Sequence, residues 1–268
     1  MPVMATPLTH VYLSPHLDDA VLSCGGLIHK QTGAGERAVV VTVCAGDPPP
    51  GPLAEFAQEL HARWTESGPA RPLPAQVTAA RRAEDLAALD RLGAEAVHFS
   101  VPDAIYRTDP GTGRHLYAAE RAILGQLHPA ETVLVRRTAQ RLSDLLRGMP
   151  RHRLYAPLTV GHHVDHLLTR QVAEAAGGIH AYYEDYPYTA REERARWLGS
   201  TITRTPLGRE MVSEAVLLGE EQLRAKVHAI AAYISQISSF WADETAMETA
   251  VREFAGRSSG GETLWRAA

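Results

Sequence analysis

Cysteine, lysine and long apolar runs are all scarce in this chain of 268 residues. It has 2 cysteines, Cys24 and Cys44, too few for a disulfide framework. Both stand in apolar runs, which predicts reduced thiols in the core. Lys30 and Lys226 are the only lysines, a bias toward arginine that reflects genome composition rather than function. No basic stripe interleaved with aromatics is present, which argues against a nucleic-acid partner. No stretch approaches the roughly 20 apolar residues needed for a bilayer span. Met1–His10 lacks the basic-then-apolar order of a signal peptide. A soluble, cytoplasmic protein is expected. No Gly-x-Gly-x-x-Gly pattern opens the first helical run, so Gly25-Gly26 is assigned to close helix–strand packing and not to a phosphate loop. Internal repeats and low-complexity segments are also lacking.

What is present is an alternation of strands and helices. Val11–Leu13 reads as a strand and 20–32 as a helix. Ala38–Cys44 is continuously apolar and β-branched, the pattern of a buried parallel strand. A helix is expected over Leu53–Trp64, and the clearest one over Val77–Leu92, closed by Gly93. Strands follow at Ala96–Ser100, Leu154–Ala156, Ile179–Tyr183 and Glu214–Leu218. Helices are expected over 116–127, 137–148, Val164–Ala175, 190–198 and, unbroken, Glu220–Ile237. The tail adds one more helix and a turn at Ser258–Gly261. This order predicts an α/β, Rossmann-like fold with a mostly parallel sheet and helices on both faces. One domain over 1–268 is the economical organisation, with a core at about 10–190 and a C-terminal strand and helices at 191–268.

Two polar knots sit at strand ends, where open α/β sheets bind ligands. The first is Ser14-Pro15-His16-Leu17-Asp18-Asp19 and the second is Gly161-His162-His163-Val164-Asp165-His166. His16 and Asp19 are three apart, as are His163 and His166, so each pair can face one point. His16, Asp19 and His166 supply three N/O ligands, the donor set of a catalytic zinc site. Asp18 is then free to act as general base. Asp165 is placed to hold the tautomer of His163 or raise its pKa. Plainer roles compete: Asp18 or Asp19 can cap the following helix, and His162, His163 and His166 can be surface residues of a polar helix start. His162 is set aside, because neighbours on a helix do not share a face.

Pro15-His16-Leu17-Asp18-Asp19 resembles the Pro-His-Pro-Asp-Asp signature of the LmbE/PIG-L family of zinc-dependent N-acetylglucosaminyl deacetylases. His163-Val164-Asp165-His166 resembles that family's His-Pro-Asp-His motif. Leu17 and Val164 depart from proline without removing a ligand or an acid/base group. Arg81-Arg82-Ala83-Glu84 looks like the family's Arg-x-x-Glu helix, and Val101-Pro102-Asp103 like its Pro-Asp loop. Order and spacing agree from residue 11 to about 170, and Tyr233-x-Ser235-Gln236 extends the likeness more loosely. The resemblance implies zinc on His16, Asp19 and His166, with iron(II) as the rival such donors accept. It implies Asp18 as base and then acid, and a protonated His163, supported by Asp165, facing the oxyanion or the leaving amine. Arg81 and Asp103 would contact the sugar, with Arg82 the competitor of Arg81.

The implied activity is removal of acetate from an N-acetylated amino sugar or its glycoconjugate by a metal-activated water. The substrate is a small molecule, and the family allows a homo-oligomer. Two alternatives stand beside it. One is a zinc amidase for a larger amide, such as a thiol conjugate or N-acyl glycoside. The other is a Rossmann-like binding protein without catalysis. Loops 45–76 and 103–115 are expected to rim the mouth. Tyr106 and Arg107 are further substrate contacts. Glu184-Asp185-Tyr186 reads equally as pocket lining or as a polar loop. Phe240 and Trp241 read as core anchors rather than a sugar platform. His61 and the other scattered histidines carry no ligand-like spacing.

Overall fold

A computed structural model of the protein describes residues 7–65, 73–190, 210–257 and 261–268. The expectations for the first six residues, for the 68–72 loop, for a helix beyond Ala190 and for Ser258–Gly260 lie outside the described residues. The strands are β1 (Thr9–Ser14), β2 (Arg37–Thr42), β3 (Glu95–His98), β4 (His152–Pro157), β5 (Ile179–Tyr183), β6 (Met211–Leu217) and β7 (Gly261–Ala267). They form one seven-stranded sheet in the order β3-β2-β1-β4-β5-β7-β6. The first five are parallel, and β7 runs antiparallel to both β5 and β6. The fold is the expected α/β architecture.

Each buried strand feeds two cores, because successive side chains leave a strand on opposite faces. Val11, Leu13, Val39 and Val41 enter one apolar cluster, with Leu142 and Leu146 of α5 (Thr132–Arg147) and Leu168 and Val172 of α6 (Val164–Ala176). Tyr12 and Val40 enter the other, with Leu22 and Ile28 of α1 (Asp19–Gly33), Leu89 of α3 (Pro74–Arg91) and Ile230 of α7 (Glu220–Ile230). Among the described residues the remaining α-helices are α2 (Glu55–Trp64), the single turn α4 (Glu120–Ile123), α8 (Ile234–Phe240) and α9 (Glu244–Arg257). Among the described residues no helix is long and apolar enough to cross a membrane. Cys24 and Cys44 are free and buried.

The chain departs from expectation in four places, each for a tertiary reason. Only α4 is helical within 116–127, because backbone groups there are drawn to the loop bearing the second motif. Leu124 bridges to His163, and the Gly125 N–H donates to the His162 carbonyl at 2.9 Å. The helix expected over Glu220–Ile237 breaks at Tyr233, whose φ/ψ of −85°/62° leave the helical region while its hydroxyl donates to Asp85 at 2.8 Å. The tail ends in a strand, β7, inserted between β5 and β6. Gly26 packs against a side chain rather than a strand: a Cβ there would lie 2.4 Å from Leu218.

Strand order fixes the site. From β1 the chain moves outward to β2 and β3, then returns to β4 on the other side of β1. Thr9 therefore pairs with Arg37 on one side and with His152 on the other. That reversal opens a crevice beyond the carboxyl ends of β1 and β4. The two motifs follow these two strands.

Candidate metal and catalytic site

The first motif is shaped by Ser14, the last residue of β1. Its hydroxyl accepts the Ala20 N–H at 3.0 Å and donates to the His16 carbonyl at 2.6 Å. Ser14 thus serves the start of α1, and Asp18, at the capping position, makes no capping hydrogen bond. Among the described residues the buried Asp18 carboxylate has no hydrogen bond and no ion pair. Burial and then the neighbouring Asp19 charge push its pKa up to about 7.

The second motif hangs on a strained loop. Thr159 and His162 have φ of 72° and 55°, a region costly for residues with a Cβ. Gly161 has φ of 89°, and a Cβ there would meet the Tyr188 ring at 2.9 Å, so the turn demands glycine. The loop delivers His163 as the N-cap of α6, with Nδ1 accepting the Asp165 N–H at 3.2 Å. The cap of α6 is thus a histidine.

The motifs meet as follows. Asp19 Oδ2 lies 3.1 Å from His16 Nδ1 and 3.3 Å from His166 Nε2. The His166 contact is too poorly aligned for a hydrogen bond, so this fully buried Nε2 has no hydrogen-bond partner. The other ring nitrogen of each histidine is held by a carboxylate. Asp165 Oδ2 lies 2.9 Å from His16 Nε2, and Asp185 Oδ1 lies 2.6 Å from His166 Nδ1. Burial disfavours charge on both rings. The Asp165 and Asp19 hydrogen bonds still hold His16 well above the usual histidine range, and Asp19 and Asp185 raise His166 to about 10. Asp19 is held well below the usual carboxylate range despite its burial, first by His166 and then by His16. A divalent cation would take over the role these shared protons play. An orphaned imidazole nitrogen facing a carboxylate, with each ring anchored from behind, fits a metal.

Two donor groupings occur within 4.8 Å among the described residues: His16, His163 and His166, and His16, Asp103 and Asp165. The second is disfavoured by charge, because Arg107 already pairs with Asp165. The first differs from the expected set by exchanging Asp19 for His163.

Asp165 does not hold His163 through its carboxylate. That carboxylate goes to His16, to the Ala104 N–H at 2.9 Å and to Arg107, and only its backbone N–H reaches His163. His163 is not set up to be protonated either: burial and then the His16 charge push its pKa down to about 3. Arg107, expected at the substrate, is buried between Asp165 and Glu131. Tyr106 pairs with His61. Arg81 and Arg82 separate cleanly. Arg82 turns outward to Asp47 and the Ala45 carbonyl, each at 2.9 Å. Arg81 is buried, its guanidinium 4.5 Å from the Trp64 ring centroid and its Nε without a partner. Its charge lowers the pKa of both Asp18 and Asp103, opposing their burial. Asp103 Oδ2 stands 3.7 Å from His16 Nε2. Glu84 braces α3 by accepting the Ser235 N–H and hydroxyl at 2.9 and 2.6 Å.

Asp185, which the sequence leaves equally as lining or loop, stands behind His166; its signal is an acid just beyond a third parallel strand. His61 lies on the buried face of α2 with Phe56 and Ala57, away from the ligands.

Comparison with known proteins now bears on this geometry. The model of the GlcNAc-PI de-N-acetylase family, PIG-L, matches residues 11–177. The chain belongs to the PIG-L family. Its reaction class is N-deacetylation, as the motifs implied. It is 28% identical over 257 residues to 2'-N-acetylparomamine deacetylase of Niallia circulans, covering 88% of this chain and 90% of that enzyme. It is 28% identical to the enzyme of the same name from Streptomyces fradiae, a match spanning 68% of this chain and 58% of that one. Among solved structures, the zinc-inhibited form of teicoplanin deacetylase superposes with a TM-score of 0.79 at 28% identity, covering 96% of this PIG-L chain and 97% of the other.

Proposed function

We propose that this PIG-L enzyme hydrolyses the N-acetyl amide of a glucosamine-type sugar within a small glycoside. Zinc is its ion, held by His16, Asp19 and His166, with iron(II) the rival. The observation that carries this reading is the buried His166 Nε2, without a hydrogen bond and 3.3 Å from Asp19 Oδ2, beside an Asp18 carboxylate that has no hydrogen bond among the described residues. Asp19 is preferred to His163 as third ligand because its Oδ2 lies against both other ligands and brings negative charge. The names of the relatives support an amino-sugar glycoside as substrate.

A bound divalent ion supplies Lewis acidity, generating a nucleophile from water near neutral pH and polarising the amide carbonyl. Asp18, a buried carboxylate beside the ligands, takes the water proton as the carbonyl carbon is attacked, and returns it to the amine. His163 acts in its neutral form. Its Nδ1 accepts from the backbone, so Nε2 carries the proton and donates to the oxygen on which negative charge develops. Arg81, whose charge acts on Asp18 and Asp103, and Asp103, beside His16, bind sugar hydroxyls, one as donor and one as acceptor. We read the chain as one catalytic unit, since β7 completes the sheet beside β5 and Ser235 braces the helix bearing Arg81.

The test is metal content by mass spectrometry together with acetate release from N-acetylglucosamine and from 2'-N-acetylparomamine. One metal per chain with acetate release is expected, and Asp19→Ala should lose the metal while His163→Ala keeps it. Metal retained by Asp19→Ala and lost by His163→Ala would exchange these two roles. A protein that takes up neither zinc nor iron(II) would end the assignment.

A further inference from the structure

A second cavity lies outside the metal site. It measures about 220 Å³, and its walls include Pro187, Phe240, Trp241, Glu253, Phe254 and Arg257. The chain has only 4 phenylalanines and 4 tryptophans, yet Phe240, Phe254 and Trp241 all line this one hollow. They are half-buried: each packs against the core beneath and keeps surface toward the cavity. Phe240 and Trp241 meet at 5.4 Å with planes 59° apart, and Tyr186 links Trp241, at 6.2 Å, to Phe254, at 4.7 Å. The rings thus brace one another. Core anchoring, the role expected of Phe240 and Trp241, describes only half of each side chain. The rim carries the Arg257–Glu253 pair, 3.3 Å apart, so it is polar and close to neutral.

The cavity adjoins the metal site through one short stretch. Asp185 holds His166, and the Tyr188 ring stands edge-on to His166 at 5.5 Å. Pro187 and Ala190, interleaved with these residues, face the cavity. Within the 185–190 segment, Asp185 and Tyr188 therefore serve the metal site, while Tyr186, Pro187 and Ala190 line the cavity. The volume is below the roughly 300–1,000 Å³ of sites for drug-sized ligands, so it suits a single ring.

We infer that this cavity is a subsite for a second ring of the substrate, linked to the acetamido sugar and presenting an apolar face. The inference rests on the deacetylase reading and specifies what lies beyond the reacting sugar. Aromatic walls recognise the apolar face of a saccharide or aryl ring, and the neutral polar rim recognises its substituents. The carrier of that ring is met by Trp241 and Phe240, not by the groups around the metal.

The test compares metal-loaded wild type with Trp241→Ala and Phe240→Ala on N-acetylglucosamine, N,N'-diacetylchitobiose and phenyl N-acetylglucosaminide. Calorimetric binding of the corresponding free-amine compounds gives a readout that needs no turnover. Wild type should favour a two-ring compound over the monosaccharide by about tenfold, and each variant should erase that preference. Monosaccharide turnover should stay within about twofold. Preference for chitobiose identifies a saccharide ring, and preference for the phenyl glycoside an aryl ring. Equal losses on all three compounds, or no preference in wild type, would overturn the subsite. If no acetate is released but two-ring binding still depends on Trp241, the deacetylase reading falls and the subsite stands.

Discussion

Two buried ionic clusters lie along helix α1, and they differ in completeness. At its start, Asp19 faces His16 and a His166 Nε2 that makes no hydrogen bond, and among the described residues Asp18 makes none either. At its middle, Glu262 of β7 accepts the Gly26 and Leu27 N–H groups at 2.9 Å and pairs with Lys226 at 2.8 Å. Lys226 also reaches the Ser23 carbonyl at 3.4 Å. This second cluster is closed: its carboxylate is saturated by donors, and it ties α1, α7 and β7 together. The first is open: among the described residues one ring nitrogen and one carboxylate in it make no hydrogen bond. Burying polar groups without partners is costly, so a fold keeps such an arrangement where something else completes it. Completeness, more than burial or charge, separates the structural cluster from the functional one.

The contrast breaks most sharply at Asp18. Asp18→Asn should lower kcat by about 10²–10⁴ with metal content and melting temperature held, as measured by acetate release, mass spectrometry and calorimetry. A comparable loss of metal would show that Asp18 is a ligand instead. The closed cluster should respond in the opposite currency. Lys226→Met strands a buried carboxylate and should cost about 3–5 kcal/mol in denaturant unfolding, while the folded fraction keeps its metal. Adding Glu262→Gln should restore part of that loss. Asp185→Asn tests the support behind the open site, with metal affinity by chelator competition expected to fall about 10–100-fold. Tyr233→Phe is the mildest change. It removes one hydrogen bond to Asp85 and should cost about 0.5–1.5 kcal/mol, with little effect on kcat.

Much of this could be anticipated, and the failures share a cause. β5 was anticipated at its observed limits and α6 to within one residue, because apolar periodicity is a local signal. The two motifs and their strand ends were equally local. Asp165 was assigned to His163, its near neighbour in sequence, whereas its carboxylate crosses 149 positions to His16. Arg107 looked like a loop residue available to substrate until Asp165 and Glu131 enclosed it. Tyr233 ended a helix through a bond to a residue 148 positions away.

By itself the sequence determined the chemical inventory: a histidine and two aspartates after one strand, three histidines and an aspartate after another, and the alternation that builds a parallel sheet. Only the tertiary structure decided which carboxylate backs which imidazole, that Arg81 rather than Arg82 turns inward, and that Asp185 joins the site. The reason is physical. Periodicity and capping act between residues a few positions apart, whereas hydrogen-bond partners in a buried site are chosen by the strand order that brings distant loops to one crevice.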